Sequence, residues 1–560
     1  MRGFLGLPRS LGGRLSPSAA FATILLSTVL TLYGDNHPAR AEDARPPTKT
    51  QRQFSPEKLT AWIEELQHDD EVVRRRAARA LGELGSQAEP AVAELIETLS
   101  DDGKLVAFEA CQALAKIGPP AIPALTKALA HNEVAVRSWA ARGLEEIGPE
   151  ARAAIPALID SLRDHTISVD YAASALASVG MASVGPLLEV LRDPQESTTA
   201  RARAAHSLGL IGPRASVAVP LLIEALEDRR ERTPFRGENV YYPVCNGAIV
   251  ALGAIGPDAK AAVPVLAKLL SDGNAWVRSD AIEALAGIGP DAASAVPRLI
   301  TALGDKEDEE TPVKAAKTLG EIGPAARESL PVLIQLLCRL DGDSNSARRD
   351  IVTSALVGIG PDAISGLTEA YRKADADDRP RIIRALGAVG AGVPTDVYAW
   401  LPYLGSHPVR AFGTEETRPE EVIPTLVEAL ADEEGAVRLA AVHGLGSLGP
   451  SAKLSLATVA GALQDRDPEV RVAAAVTLMN LGPSAAEAVP ALVEALSDRN
   501  ARVRKAAAWA LTVMGPPAEA AVEGLALAAT RDRDREVRAA AALALRKIRR
   551  DSDHRSRNDP

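Results

Sequence analysis

Cysteine is scarce in this 560-residue chain, and its few copies form no pattern. Cys111, Cys245 and Cys338 are odd in number and far apart, without a C-x-x-C or C-x-x-C-H. That excludes a disulfide framework and the usual zinc and haem spacings, and leaves buried thiols acting as small hydrophobes. Aromatic residues amount to only 3%, so any cluster of them is informative. No linker-like break in composition follows residue 55, which argues against a string of independent domains. No apolar run beyond residue 41 approaches a membrane-spanning length. There is no G-x-S-x-G, and no base stands paired with a nucleophile.

The first 41 residues differ from the rest. Arg2, Arg9 and Arg14 precede the apolar run Ser18–Gly34, and Ala39-Arg40-Ala41 places small residues ahead of Glu42. A basic segment, an apolar segment and an A-x-A site predict a cleaved export signal over residues 1–41, then a short linker over 42–54. The destination is periplasmic or extracellular, with an uncleaved N-terminal membrane anchor as the alternative. Loss of four Arg and one Asp takes the net charge from −11 to −14. A chain so acidic is a poor nucleic-acid binder.

What is present is a repeat. Gly85, Gly118, Gly148, Gly180, Gly212, Gly256, Gly289, Gly323, Gly360, Gly390, Gly449, Gly482 and Gly515 close units spaced mostly 30 to 37 residues apart. Leu stands four positions before the glycine in all thirteen units, and Ala stands eight before it in eleven. Together with an apolar residue at −1, these offsets trace one stripe of a 3.6-period helix. Ten of the glycines are followed by Pro. Gly supplies a left-handed helix end, Pro stops continuation, and a second apolar helix follows with its own Pro in the first turn. Each unit is helix A, a turn, helix B and a Gly-Pro turn. With a glycine-less last unit ending near Ile548, about 14 pairs are expected, and no pair buries its stripe alone.

On these columns the chain resembles the HEAT-repeat family, specifically its short phycobilisome (PBS) lyase HEAT-like repeats, over residues 55–548. The resemblance implies an all-α, right-handed α-solenoid, an armadillo/HEAT-like superhelix with B helices on the concave side. It also implies that Arg at −11, present in nine units, forms a ladder with an Asp six residues ahead of that column, as at Asp272, Asp343, Asp432, Asp465, Asp498 and Asp532. A carboxylate there is also placed to cap helix B.

Other motifs are weaker. The G-x-G-x-x-G within His443–Gly449 closes a B helix without a preceding strand, so it is not a dinucleotide site. The run starting at Asp341 lacks the Gly and Glu that a calcium loop needs, and the acidic run 304–312 reads as a solvated loop. HEAT-type deoxyhypusine hydroxylases bind iron through His-Glu dipeptides, and none of the eight His here precedes Glu. No catalytic residue, metal or cofactor is expected.

Recognition is then expected where the units differ. Offsets −10, −9 and −6 lie away from the buried stripe, and in the first five units they carry five Arg, two acids and three aromatics. Arg75, Arg79, Trp139, Arg142, Tyr171, Arg203 and His206 are the groove candidates from this set. Two insertions, 229–246 within a unit and 391–419 between units, hold seven of the 15 aromatics beyond residue 41. Tyr241, Tyr242, Trp400 and Tyr403 are the candidates there, since such an aromatic load argues against disorder. Residues 549–560 read as a charged tail. The reading is an exported, non-enzymatic scaffold for a protein or peptide partner, with no nucleic acid and no membrane span after signal removal. Its oligomeric state is open. A PBS-lyase-like enzyme or enzyme partner handling a chromophore, and a HEAT-type nucleic-acid binder, are the alternatives. The exported protein is expected to begin at Glu42; N-terminal sequencing that finds Met1 intact selects the anchor instead.

Overall fold

The computed structural model describes residues 56–164, 169–230, 233–234, 240–305, 308–340, 342, 345–392, 418–449, 451 and 455–558. The export signal, the linker, Trp400 and Tyr403 lie outside them. From Leu59 onward the chain is one compact unit. Its helices, with A members odd and B members even, begin α1 Pro56–Glu65, α2 Glu71–Leu84, α3 Val92–Glu97, α4 Lys104–Ile117, α5 Ile122–Ala128, α6 Val134–Ile147, α7 Ile155–Ser161, α8 Val169–Val179, α9 Met181–Arg192 and α10 Thr198–Ile211. They continue as α11 Val219–Ala225, α12 Pro243–Ile255, α13 Val263–Leu269, α14 Ala275–Ile288, α15 Val296–Ala302, α16 Glu310–Ile322, α17 Leu330–Arg339, α18 Ser346–Ile359, α19 Ala363–Lys373 and α20 Arg379–Ala391. The last are α21 Pro419–Ala429, α22 Gly435–Ser447, α23 Leu456–Gly461, α24 Pro468–Leu481, α25 Val489–Ala495, α26 Ala501–Met514, α27 Val522–Arg531 and α28 Arg535–Asn558. These are the fourteen pairs of an all-α solenoid. The one sheet among the described residues is a two-residue pairing of β1 Thr233–Pro234 with β2 Val240–Tyr241, inside the first insertion.

The columns read from the sequence form the core. All thirteen Leu at −4, from Leu81 to Leu511, are 0% exposed. The Pro of the short A helices sits in the first turn of α5, α7, α11, α13, α15, α17 and α25, where no N–H is needed. The glycines differ from expectation in one respect. Twelve of the thirteen have positive φ, from 56° at Gly449 to 94° at Gly360. Their ψ is not that of a left-handed helix: it is −135° at Gly85 and −156° at Gly360. This is the mirror of extended backbone, which only glycine enters freely, and it turns the chain straight into a 3-10 segment. Gly390 is the exception. There α20 runs on to Ala391 and ends at Gly392, which is left-handed at φ 64°, ψ 24°.

B helices of successive units touch backbone to backbone. A Cβ placed on Gly253 would lie 2.7 Å from Ala284 Cα, and one on Gly287 2.3 Å from the Gly253 carbonyl oxygen. Gly320 and Gly358 repeat the arrangement between α16 and α18, and Gly387 meets Gly444 between α20 and α22. Small residues at −2, −3 and −5 therefore set the spacing of the B layer.

The second tie is the ladder. Arg74, Arg438, Arg471 and Arg504 each place Nε and Nη2 on both oxygens of the next unit's Asp101, Asp465, Asp498 and Asp532, at 2.6 to 3.0 Å. Arg137 reaches Asp164 at 2.8 Å, Arg201 pairs with Asp228, and Arg379 pairs with Asp432 across the second insertion. Nη1 of Arg74, Arg137, Arg438, Arg471 and Arg504 donates to carbonyls of its own A–B turn, as Arg471 does to Asp465 O at 2.8 Å, whereas Arg201 and Arg379 use Nε for the carbonyl and Nη1 for the aspartate. The ladder aspartates do not cap helix B. Asp465 Oδ1 accepts the Asp467 N–H, and Asp467 is the residue that caps α24 by accepting from Glu469. Asn274, Asn500 and Asp534 fill the same capping place. The carboxylate two residues upstream is committed to the neighbouring Arg. Asp343 lies outside the described residues.

Two boundaries move. The first insertion ends earlier than residue 246, because α12 starts at Pro243. The last helix continues past Ile548 to Asn558, so the tail begins as helix. Three helical runs, Thr198–Ala225, Pro243–Leu269 and Pro468–Ala495, are long and apolar enough to cross a membrane by length and composition, contrary to the reading that none approached it. Each is a B helix joined to an A helix through Gly212, Gly256 or Gly482 at positive φ, with at least half of its most apolar window buried in the stack.

Gly-to-Ala exchange separates seam from surface. Gly185 lies exposed in α9 with nothing within 4 Å of its would-be Cβ, so Gly185→Ala is expected to stabilise by about 0.5–1 kcal/mol. Gly320→Ala puts its Cβ 2.6 Å from Ala355 Cα and is expected to destabilise. Opposite signs in denaturant titrations check the seam.

The ladder predicts a pH response. The Arg74 hydrogen bonds hold the Asp101 carboxyl below its ordinary value against the upward push of burial. A depressed carboxyl adds stability that is complete above its unfolded pKa, near 3.9, and is lost as pH falls through the folded value. The stability gap between the parent and Asp101→Asn should therefore be constant above about pH 5 and close in acid. A gap independent of pH down to unfolding would remove the ion pair as its cause.

Candidate functional site: the exposed B-layer columns

The three variable offsets do not share one role. Side chains at −10 and −9 of neighbouring B helices face one another across the seam. Arg75 Nε lies 3.4 Å from the Glu109 carboxylate, Asn246 Nδ2 donates to Asp280 at 2.6 Å, and Lys314 Nζ reaches Ser279 Oγ at 2.5 Å. The −6 column is the open one: Arg79, Val250, Glu283, Lys317, Arg384, His443 and Trp509 are exposed.

The groove candidates of the first five units separate accordingly. Arg79 is exposed, with no ion pair among the described residues. Arg75 is exposed but paired, and Arg142 Nε lies 3.3 Å from Glu146, which also accepts from Gln112 at 2.6 Å. Trp139 and Tyr171 are half-buried against the core, and Trp139 meets Phe108 edge-on with ring centroids 6.2 Å apart. His206 is half-buried. Arg203 is not a groove residue. It is 6% exposed, and its Nη1 donates to the carbonyls of Leu162 and Asp164 at 2.9 and 2.6 Å, stapling α10 to the turn after α7. Burial pushes its pKa down from the ordinary value.

The first insertion is tied to the stack by its ends. Position −11 of this unit is Cys245, so no ladder Arg is available; Arg229, at the start of the insertion, reaches Asp272 at 2.8 Å instead. The same guanidinium lies 4.7 Å over the Tyr242 ring, a cation–π contact. Tyr242 is thus an internal fastening. Tyr241 pairs with Thr233 through β2. Cys111 and Cys245 are buried and free, and Cys338 is half-buried. Burial raises the first two thiols to about 12 and about 11, far from thiolate chemistry.

Two open cavities lie away from every candidate read from the sequence. One, of about 590 Å³, lies between α19 and α21, lined by Ile364, Thr368, Arg372, Glu421 and Thr425. The other, of about 400 Å³, lies on the B layer between α26 and α28, with Trp509, Leu543, Lys505, Glu536 and Arg546 around it. The available signal was a Trp at −6, where the other units carry a polar or charged residue or Val. No His, Cys, Asp and Glu cluster among the described residues has metal-holding geometry.

The model of the HEAT repeats family matches residues 59–145, 92–177, 244–311 and 455–546. No curated protein matches the sequence. Among solved structures, one on Kap95p binding to RanGDP is similar, with 14% identity and a TM-score of 0.50 over 90% of this chain and 69% of that one. Kap121p is similar at 13% identity and a TM-score of 0.50, over 89% of this chain and 54% of that one. At these identities the likeness is one of fold, and this chain spans about half the length of Kap121p. With its four matched stretches lying along one stack of helix pairs, the chain is a HEAT-repeat protein.

Proposed function

We propose that this protein is an exported, non-enzymatic scaffold that holds a protein partner along the B layer of its solenoid. The observation that carries the reading is the division of columns. Residues at −4 and −8 are uniformly buried, several at −10 and −9 stitch units together, and −6 carries side chains that differ from unit to unit and are exposed in seven of thirteen units. Helices packed closer in one layer bend a stack toward that layer, giving the extended concave surface that repeat proteins use for binding. Kap95p, whose fold this chain shares, binds RanGDP. The basic, apolar and A-x-A segments of residues 1–41 support export, and the mostly 30-to-37-residue spacing supports the PBS-lyase-like subtype of the repeat.

The test starts from capture of the partner from an exported-protein extract and continues with binding kinetics on purified components. Arg79→Ala, Val250→Ser and Arg384→Ala together are expected to weaken binding about tenfold or more, about 1.4 kcal/mol, with the melting transition unchanged. Arg203→Ala is expected to lower stability, because it strips the buried Leu162 carbonyl and the part-buried Asp164 carbonyl of their donor. Unchanged rates for the triple variant would exclude the −6 column as the binding face.

A further inference from the structure

The first three B helices each begin with an exposed apolar side chain. Val72 in the first turn of α2 is 73% exposed, Leu105 in the first turn of α4 is 51% exposed, and Val134, which opens α6, is 42% exposed. Val72 and Leu105 stand at −13 in their units; Val134 stands at −14, with the exposed Ala135 beside it. Beyond α6, the only large aliphatic or aromatic side chain at −13 among the described residues is Trp276. Helix starts do not require this: the same place holds Thr199 in α10, Glu310 in α16 and Arg502 in α26. An exposed apolar row confined to one end of the stack marks a contact surface.

The three starts lie side by side. Arg74 of α2 holds Asp101, just ahead of α4, at 2.6 Å, and a Cβ on Gly103 would lie 2.9 Å from the Glu71 carboxylate. Between α4 and α6, Phe108 meets Trp139 edge-on at 6.2 Å, and Cys111 Sγ lies 3.5 Å from the Trp139 carbonyl oxygen. Phe108 follows Leu105 by three residues and Trp139 follows Ala135 by four, so the ring pair continues the row one turn into the B layer.

The charge around this lip is acidic. Asp69, Asp70, Glu71, Asp102 and Glu133 are exposed and form no ion pair among the described residues, against one such cation, Lys104. The remaining cations are engaged: Arg74 with Asp101, Arg75 with Glu109, Arg76 with Glu65 and Arg137 with Asp164. Arg79 lies seven residues beyond Val72, about 10 Å further along α2.

We propose that this lip docks an extended, basic segment of a partner protein that carries an apolar residue at every third position. Packed helices lie about 8–10 Å apart, which sets the spacing of the row. A polyproline-type chain presents the same face every three residues, about 9.3 Å. A β-strand does so every two, about 6.8 Å, and an α-helix every seven, about 10.5 Å; both fall outside the spacing. The five acids specify Lys or Arg on the other faces of the segment. A second copy is the poorer fit, since it brings a net charge of −11 to an acidic lip. The inference goes beyond the −6 column, which lies two turns further along the same helices.

The probe is a synthetic peptide of about 15 residues built on Leu-Pro-Lys repeats. Beside it stand a twin with Glu for every Lys and a second twin of the same composition with its Leu residues contiguous. Binding to the full chain is followed by anisotropy of labelled peptide. The repeat peptide is expected to bind, less tightly as salt screens the exposed charges, and neither twin to match it. Val72→Ser, Leu105→Ser and Val134→Ser together are expected to weaken binding about tenfold or more. Glu71→Gln with Glu133→Gln is expected to weaken it and to flatten its salt dependence. All five side chains are exposed, so the melting transition is expected to stay in place. Arg79→Ala, Val250→Ser and Arg384→Ala together should leave this binding unchanged, which separates failure here from failure of the −6 reading. Undiminished binding by the apolar triple variant, or equal binding of either twin, overturns the proposal. So does self-association of the full chain that the apolar triple variant abolishes, since it makes a second copy the occupant.

Discussion

Backbone contact between B helices is the constraint from which the rest follows. With Gly287 placed so that even a methyl group would overlap the Gly253 carbonyl, adjacent B helices cannot approach further or slide without collision. That fixes the axial repeat on one side of the stack. The Leu at −4 is then enclosed in every unit, although no helix pair alone has the surface to enclose it. The seam also explains the low aromatic content: a core made by bringing backbones together has no room for rings, and most rings lie at its margins or in insertions.

The ladder works on top of this seam. A guanidinium that holds two carbonyls of its own turn and both oxygens of the next unit's Asp links the A–B turns along one edge. Ion pairs this enclosed contribute specificity of register as much as energy, since taking both charges out of water offsets much of their attraction. At the first insertion the column residue is Cys245, and a different arginine, Arg229, reaches the waiting Asp272. At His131 the pattern lapses on both sides: the preceding unit has Ala107 at −11, and His131 Nδ1 takes over the local bond that an aspartate would make to the turn. Arg and Asp are thus properties of the contact between units rather than of a unit, and some contacts keep only one of the two: Arg349 has Lys373 at the next unit's aspartate place, and Asp343 follows a unit with Pro312 at −11.

That distinction sets what was legible in the sequence. Period, helix ends, the buried Leu and Ala columns and the count of pairs all report how a unit is built, and one unit's residues suffice to show it. Register between units is different. Whether −9 and −10 face solvent or the next helix depends on the rotation between pairs, which the repeat interval alone does not encode. Arg203 and Arg75 looked like groove cations for that reason, and the structure places the first in the stack and the second beside an acid of the next unit; Arg142, in the −6 column, pairs with Glu146 of its own helix. The capping role given to the ladder Asp failed similarly. The local rule was right about a carboxylate near the helix start, but the cap falls two residues later because the ladder claims the first. Gly390 kept the column position while the turn moved to Gly392, and the apparent interval hid the shift.

Separation of columns has a consequence for how such a protein diversifies. A change at −4 or in the seam is felt by two units, because each side chain there fills space belonging to its neighbour. A change at −6 reaches surface contacts such as the Glu283–Lys314 ion pair, not the buried stripe. That column holds Arg79, Val250, Glu283, Arg384 and Trp509 on helices whose −4 and −8 positions scarcely vary. Binding specificity can therefore be rewritten unit by unit on a frame whose stability comes from elsewhere.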